Sequence, residues 1–270
     1  MDFINAIESL WKKNESLVCV GLDPDINKIP VHIRSMDAPI FEFNRAIIDA
    51  TGDLVCAYKP QIAYYASSRA EQQLEKTIEY IHKNFPGIPV ILDAKRGDIG
   101  STAEMYAKEA FERYQADAVT VNPYMGGDTL EPFLKHKNRG VAILCRTSNP
   151  GAREIQDLES GGEKIYRIIA ARASREWNYN GNVMLVVGAT YPDELKTVRD
   201  IVGDLPLLVP GIGAQGGDVE KAVKNGRNSK GAGMIINSSR GIIYAGAGKD
   251  FAEAARTAAM ELRQEINRYR

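Results

Sequence analysis

The sequence predicts an α/β fold, a (β/α)8 TIM barrel in which residues 1–270 form a single domain. Three observations point to it. Short apolar runs recur along the whole chain, and each is followed by a polar stretch with helical spacing. The runs end in charged or amide side chains, as strands do where they open onto the mouth of a barrel. The chain has 270 residues, 44% hydrophobic and 26% charged, which suits one large barrel with a full core and a solvated surface.

The expected strands, in order, are Leu17–Leu22, Leu54–Lys59, Ile88–Asp93, Ala118–Asn122, Val141–Arg146, Val183–Gly188, Pro206–Pro210 and Met234–Asn237. Runs such as VMLVV and VILD are apolar without alternation, which is the pattern of parallel strands covered on both faces. Between strands, Leu74, Ile78 and Ile81 fall at i, i+4 and i+7 and predict a helix over Glu71–Asn84. Ser101 and Glu104 have capping-box spacing and predict a helix start running to about Tyr114. A last helix is expected from Phe251 to about Tyr269, and longer loops at Asp25–Ala38 and Ser148–Gly162. Eight βα units favour a closed barrel over a doubly wound sheet, which usually has fewer strands.

Composition excludes several function classes. Lys+Arg of 34 against Asp+Glu of 35 leaves a net charge of -1, so no global basic field exists to hold nucleic acid. Cys19, Cys56 and Cys145 sit inside apolar runs without CxxC spacing and read as reduced core thiols. The stretch MDFINAIESLWKKNES is amphipathic and carries acids, unlike a secretory leader, and no apolar run approaches the ~20 residues of a membrane span. A soluble, cytoplasmic chain without membrane partners is therefore expected. His32, His82 and His136 lie apart, so no metal site is expected.

The segment Gly211-Ile-Gly213-Ala-Gln-Gly216 matches G-x-G-x-x-G, but Gly231–Ser239 supplies none of the acid that a dinucleotide site needs about 20 positions on. NAD binding is rejected.

The polar residues at the strand ends are Asp23, Lys59, Asp93 with Lys95, Asn122, Arg146 with Ser148, Gln215 and Arg240. Any one of these is as well explained as a strand end entering solvent. Their recurrence at seven of eight ends points to a site. Residues i and i+2 of a strand share a face, so Asp93 and Lys95 should both meet the mouth, near Lys59. Alternating lysine and carboxylate permits partial burial and keeps the amines protonated, as proton donors rather than nucleophiles. An ion-pair network that merely ties loops together remains the alternative. Pro210–Gly217 and Asn237–Gly241 follow strands seven and eight, where barrels commonly hold phosphate, and Arg240 can bind it through two parallel hydrogen bonds.

Leu92–Ala103 (LDAKRGDIGSTA) resembles the D-x-K-x-x-D signature of the orotidine 5′-monophosphate decarboxylases, in the DAKRGDIG form of a bacterial subgroup. CVGLDPD, YKPQIAYY, TVNPYMG, RTSNPGA, VPGIGAQGGD and SSRGI agree with that family in order, so the resemblance spans nearly the whole chain. Gln61 departs from the Asn of many relatives, which touches loop packing rather than chemistry. The resemblance implies a cofactor-free decarboxylation of orotidine 5′-monophosphate to UMP, and a (β/α)8 barrel.

By the same resemblance, Lys59, Asp93, Lys95 and Asp98 would form the charged array at the reacting carbon. Asp98 would be contributed to the other subunit of a homodimer. Asp23 and Lys59 would bind ribose hydroxyls with help from Thr102, Ser148 would bind the pyrimidine, and Gln215 and Arg240 the phosphate. The rivals are a magnesium-dependent keto-gulonate-phosphate decarboxylase with the same D-x-K-x-x-D pattern, a Schiff-base aldolase, and a silent phosphate-binding scaffold. Carboxylates beside both lysines disfavour the aldolase, since they raise amine pKa.

Overall fold

A computed structural model of the chain describes residues 2–212 and 217–270. The barrel strands are β1 (Val18–Leu22), β2 (Ala57–Pro60), β3 (Ile91–Arg96), β4 (Ala118–Val121), β5 (Gly140–Arg146), β6 (Val183–Val187), β7 (Leu207–Pro210) and β8 (Met234–Ser238). All pair in parallel, in the spatial order β2-β1-β8-β7-β6-β5-β4-β3. Two parallel bridges, Tyr58 to Val90 and Gln61 to Asp93, join the two ends of that order and close the barrel. Every residue of β1, β2, β4, β6 and β8 is buried, which explains why these runs carry no polar alternation.

Helices cover the outside. Glu71–Asn84 has the bounds expected from its spacing and buries Leu74, Thr77, Ile78 and Ile81. The last helix, Phe251–Asn267, packs on Pro39–Thr51, where Phe251 stacks on Phe43 with ring centroids 5.3 Å apart. An additional helix, Phe3–Lys13, is capped by Asp2, whose carboxylate accepts from the amide of Asn5 at 2.9 Å. Phe3 lies against Gly140, where a β-carbon would come within 2.4 Å of its ring.

Strand starts moved for local reasons. β2 and β3 begin three residues later than expected, because Leu54 and Ile88 donate to Thr51 and Phe85 and are still part of turns. The capping box is not formed: the helix is Gly100–Lys108, its N-cap is Ile99 without a side-chain bond, and Ser101 lies inside the first turn. The helical path does reach Tyr114, through a π-helical turn at Glu109–Arg113. The expected loop Ser148–Gly162 contains a helical turn at Arg153–Gln156 and the first strand of a small hairpin, Glu159–Ser160 with Glu163–Lys164. Among the described residues no helix is long and apolar enough to cross a membrane.

Candidate active site

The C-terminal strand ends surround a cavity of about 710 Å³. Asp23 follows β1, Lys59 lies on β2, Asp93 and Lys95 on β3, Thr120 on β4, Ser148 follows β5, Asn237 lies on β8, and Ser239 and Arg240 follow it; all line this cavity.

At its centre Asp93 is bracketed by two ammonium groups. Lys59 Nζ donates to Asp93 Oδ2 at 2.8 Å, and Lys95 Nζ donates to Asp93 Oδ1 at 2.6 Å. The Thr120 hydroxyl donates to the same Oδ1 at 2.9 Å and accepts from the amides of Ala94 and Lys95, each at 2.9 Å. Lys59 and Asp93 are buried, whereas the Lys95 side chain is 46% exposed and reaches into the cavity. Burial opposes the charge on Asp93, but Lys59 and Lys95 outweigh it and hold the carboxyl well below the usual range. Burial likewise opposes the charge on Lys59, and Asp93 and Asp23 outweigh it, so its ammonium is held above the usual lysine range.

Three buried oxygens on the cavity wall have no hydrogen-bond partner among the described residues: Asp23 Oδ1, Asn237 Oδ1 and Ser239 Oγ. Buried polar atoms are rarely left unpaired, so this wall suits a ligand rich in hydroxyl groups. Close contact between β1 and β8 brings Asn237 Oδ1 and Ser239 Oγ to the same point, beside Gly21. Gly21 permits it, since a β-carbon there would lie 2.6 Å from Ser239 Cβ.

Arg240 opens the short helix Arg240–Ile243 at the cavity rim. Beside it, after the neighbouring strand, Gly211 and Gly217 clasp the two ends of the β7 loop, Gly217 N donating to Gly211 O at 3.1 Å. A β-carbon at Gly217 would come 2.6 Å from that carbonyl oxygen. Gln215 lies outside the described residues.

Within one chain, the fold does not bring Asp98 and Thr102 to the cavity. Asp98 Oδ1 accepts from the adjacent amide of Ile99 at 2.8 Å, and Thr102 is exposed on the following helix. Large apolar side chains surround them: Ile99 and Met105 are 63% and 52% exposed, Tyr124 82%, and Met125 lies against Gly97.

Two expected strand-end groups serve the scaffold instead. Asn122 caps a turn by accepting from Tyr124 N at 3.0 Å. Arg146 is fully buried away from the cavity, 3.4 Å from Asp157 and 3.9 Å from Glu194, with Tyr191's ring 4.5 Å away. Sequence reasoning missed Thr120, whose signal is a lone hydroxyl inside the apolar run AVTV. It also missed Gln156, which no local pattern marks. Tyr65 is core, its hydroxyl donating to Leu22 O at 3.0 Å, while Tyr64 lines the cavity. Among the described residues no cluster of three or more His, Cys, Asp or Glu is placed to hold a metal.

The family model of the orotidine 5′-phosphate decarboxylase / HUMPS family matches residues 16–257. A Dechloromonas aromatica protein named orotidine 5′-phosphate decarboxylase is 62% identical over 270 residues, covering 100% of both chains. A Ralstonia nicotianae protein of the same name is 60% identical over the same length. The solved Leishmania donovani OMP decarboxylase superposes with a TM-score of 0.87 at 39% identity, covering 100% of this chain and 99% of that one. With a family model across most of its length and full-length relatives of this similarity, the chain belongs to the orotidine 5′-phosphate decarboxylase / HUMPS family.

Proposed function

We propose that the Lys59–Asp93–Lys95 array performs the decarboxylation of orotidine 5′-monophosphate to UMP and CO2, with Lys95 as the proton donor. The reaction is the one for which the full-length relatives are named, and the enzyme is a carboxy-lyase of pyrimidine nucleotide synthesis. The observation that carries the residue assignment is Asp93 held between two ammonium groups at the barrel mouth, one buried and one reaching into the cavity.

Breaking the C6–carboxylate bond leaves its electron pair on C6, in an orbital that the ring π-system does not share. A fixed cation at that point stabilises the developing charge more than water does, because it is already oriented before the bond breaks. Lys95 supplies this cation. Its Nζ then gives a proton to C6, forming C6–H, and regains one from solvent after CO2 leaves. Asp93, itself held by Lys59 and Thr120, aims Lys95. Asp23 and Lys59 take the ribose hydroxyls, in keeping with the unpaired Asp23 oxygen. Ser148 takes the pyrimidine, and Arg240 with Gln215 the phosphate. No cofactor enters this scheme.

Asp98 and Thr102 act in the site of a second copy, making the enzyme a homodimer. The exposed Ile99, Met105, Tyr124 and Met125 around them support this, since apolar surface of that kind is usually covered. The chain works as one barrel domain in the cytoplasm, without nucleic-acid or membrane partners.

The test follows loss of orotidine 5′-monophosphate absorbance in EDTA, with wild type beside Lys95→Ala. Turnover by wild type and none by the variant supports the assignment. No turnover by either would move the chain toward the sugar-phosphate relative or the silent scaffold, with rescue by magnesium as the next test.

A further inference from the structure

Gln156 lines the cavity outside the charged array. Its Oε1 accepts from the amide of Thr147 at 2.9 Å, and its Nε2 donates to the Thr147 hydroxyl at 2.9 Å. The same Oε1 accepts from the buried guanidinium of Arg146 at 3.4 Å. The Thr147 hydroxyl in turn donates to Asn149 Oδ1 at 2.7 Å, which completes a chain of polar contacts around Ser148. From the other side Gly188 presses on the backbone of Ser148: a β-carbon there would lie 2.9 Å from both its N and its Cα. The two residues are therefore fixed from two sides, Ser148 by a glycine at the end of β6 and Thr147, just before it, by a glutamine nine residues ahead.

We infer that Gln156 is a positioning residue for pyrimidine recognition, holding Ser148 at the height the base requires, with Arg146 anchoring it from the core. This rests on the reading of Ser148 as the group that meets the pyrimidine. An amide suits the task because it supplies an acceptor to the Thr147 N–H and a donor to its hydroxyl at once. Both protein groups lie on a loop, where a fixed geometry needs such bonds, because regular secondary structure does not provide them.

The inference separates ligands that carry a base from those that do not. Calorimetric affinities for UMP and for ribose 5-phosphate are measured on the full chain, for wild type, Gln156→Ala, Gln156→Met, Ser148→Ala and Ser148→Ala with Gln156→Met. Loss of two neutral hydrogen bonds is expected to weaken UMP roughly tenfold in both Gln156 variants. Ribose 5-phosphate should bind as in wild type, and the double variant should bind UMP no more weakly than Ser148→Ala alone. Met keeps the volume, so it reads the hydrogen bonds even if Gln156→Ala unfolds. Equal weakening of both ligands, additive losses in the double variant, or unchanged UMP affinity in Gln156→Met would each overturn the inference. Wild-type affinity in Ser148→Ala would instead remove the Ser148 reading on which it stands, and absence of UMP binding by wild type would remove the functional reading as a whole.

Discussion

Lys95 Nζ donates to Asp93 Oδ1 at 2.6 Å although one residue separates the two. In a regular strand, residues i and i+2 share a face but stand about 7 Å apart along it. The contact is made by a break in the strand. Lys95 has φ +48°, in the left-handed region, and the register of β3 with β4 shifts between Leu92 and Arg96. The two amides turned out of the ladder, those of Ala94 and Lys95, are taken up by one hydroxyl, that of Thr120.

The left-handed turn costs stability in any residue with a β-carbon. Lys95→Gly is expected to be more stable than Lys95→Ala by about 1 kcal/mol in urea unfolding, while both lose turnover. Equal stabilities would show that no strain is held at this position.

Thr120→Val keeps the shape of the side chain and removes the hydroxyl. Two half-buried amides and one buried carboxylate oxygen lose a partner, so about 2 kcal/mol of stability and at least tenfold in kcat should go, with Thr120→Ser restoring most of both. A Val variant with wild-type kcat would mean that Asp93 needs no second anchor.

Asp93→Asn leaves Lys59 buried without its closest counter-charge and is expected to lower stability by roughly 3 kcal/mol near neutral pH. The folded carboxyl titrates well below its unfolded value, so its stabilising contribution is complete above pH ~4 and fades as pH falls toward the folded value. The gap between wild type and variant should thus stay constant from pH 7 to about 4 and narrow below that. A gap that widens on acidification would contradict the ion-pair account.

If Asp98 completes the site of a second copy, two inactive variants should rescue each other. Mixing Lys95→Ala with Asp98→Ala makes half the dimers mixed, each with one intact site, so about a quarter of wild-type turnover should return. No recovery under conditions of verified subunit exchange would assign Asp98 to its own chain.

The barrel and most of its mouth were legible along the chain because both depend on short-range rules. Apolar runs bury on two faces, helices show their spacing, and polar groups that end strands collect at one end of a parallel barrel. Asp23, Lys59, Asp93, Lys95, Ser148 and Arg240 meet at one cavity for that reason. What the one-dimensional pattern leaves open is the direction of a side chain at a strand's last residue. Arg146 and Ser148 stand two apart after the same run, yet one lies in the core between Asp157 and Tyr191 and the other lines the cavity. Only tertiary packing decided this: a register shift between Leu144 and Arg146 turns the chain, and Gly188 lets Ser148 approach β6. The same holds for Thr120 and Gln156, whose partners come from 25 to 27 and 9 to 10 positions away. Sequence alone settled which chemistry the mouth could contain; which groups share it was decided by contacts between segments, since hydrogen bonds across a barrel leave no periodic trace along the chain.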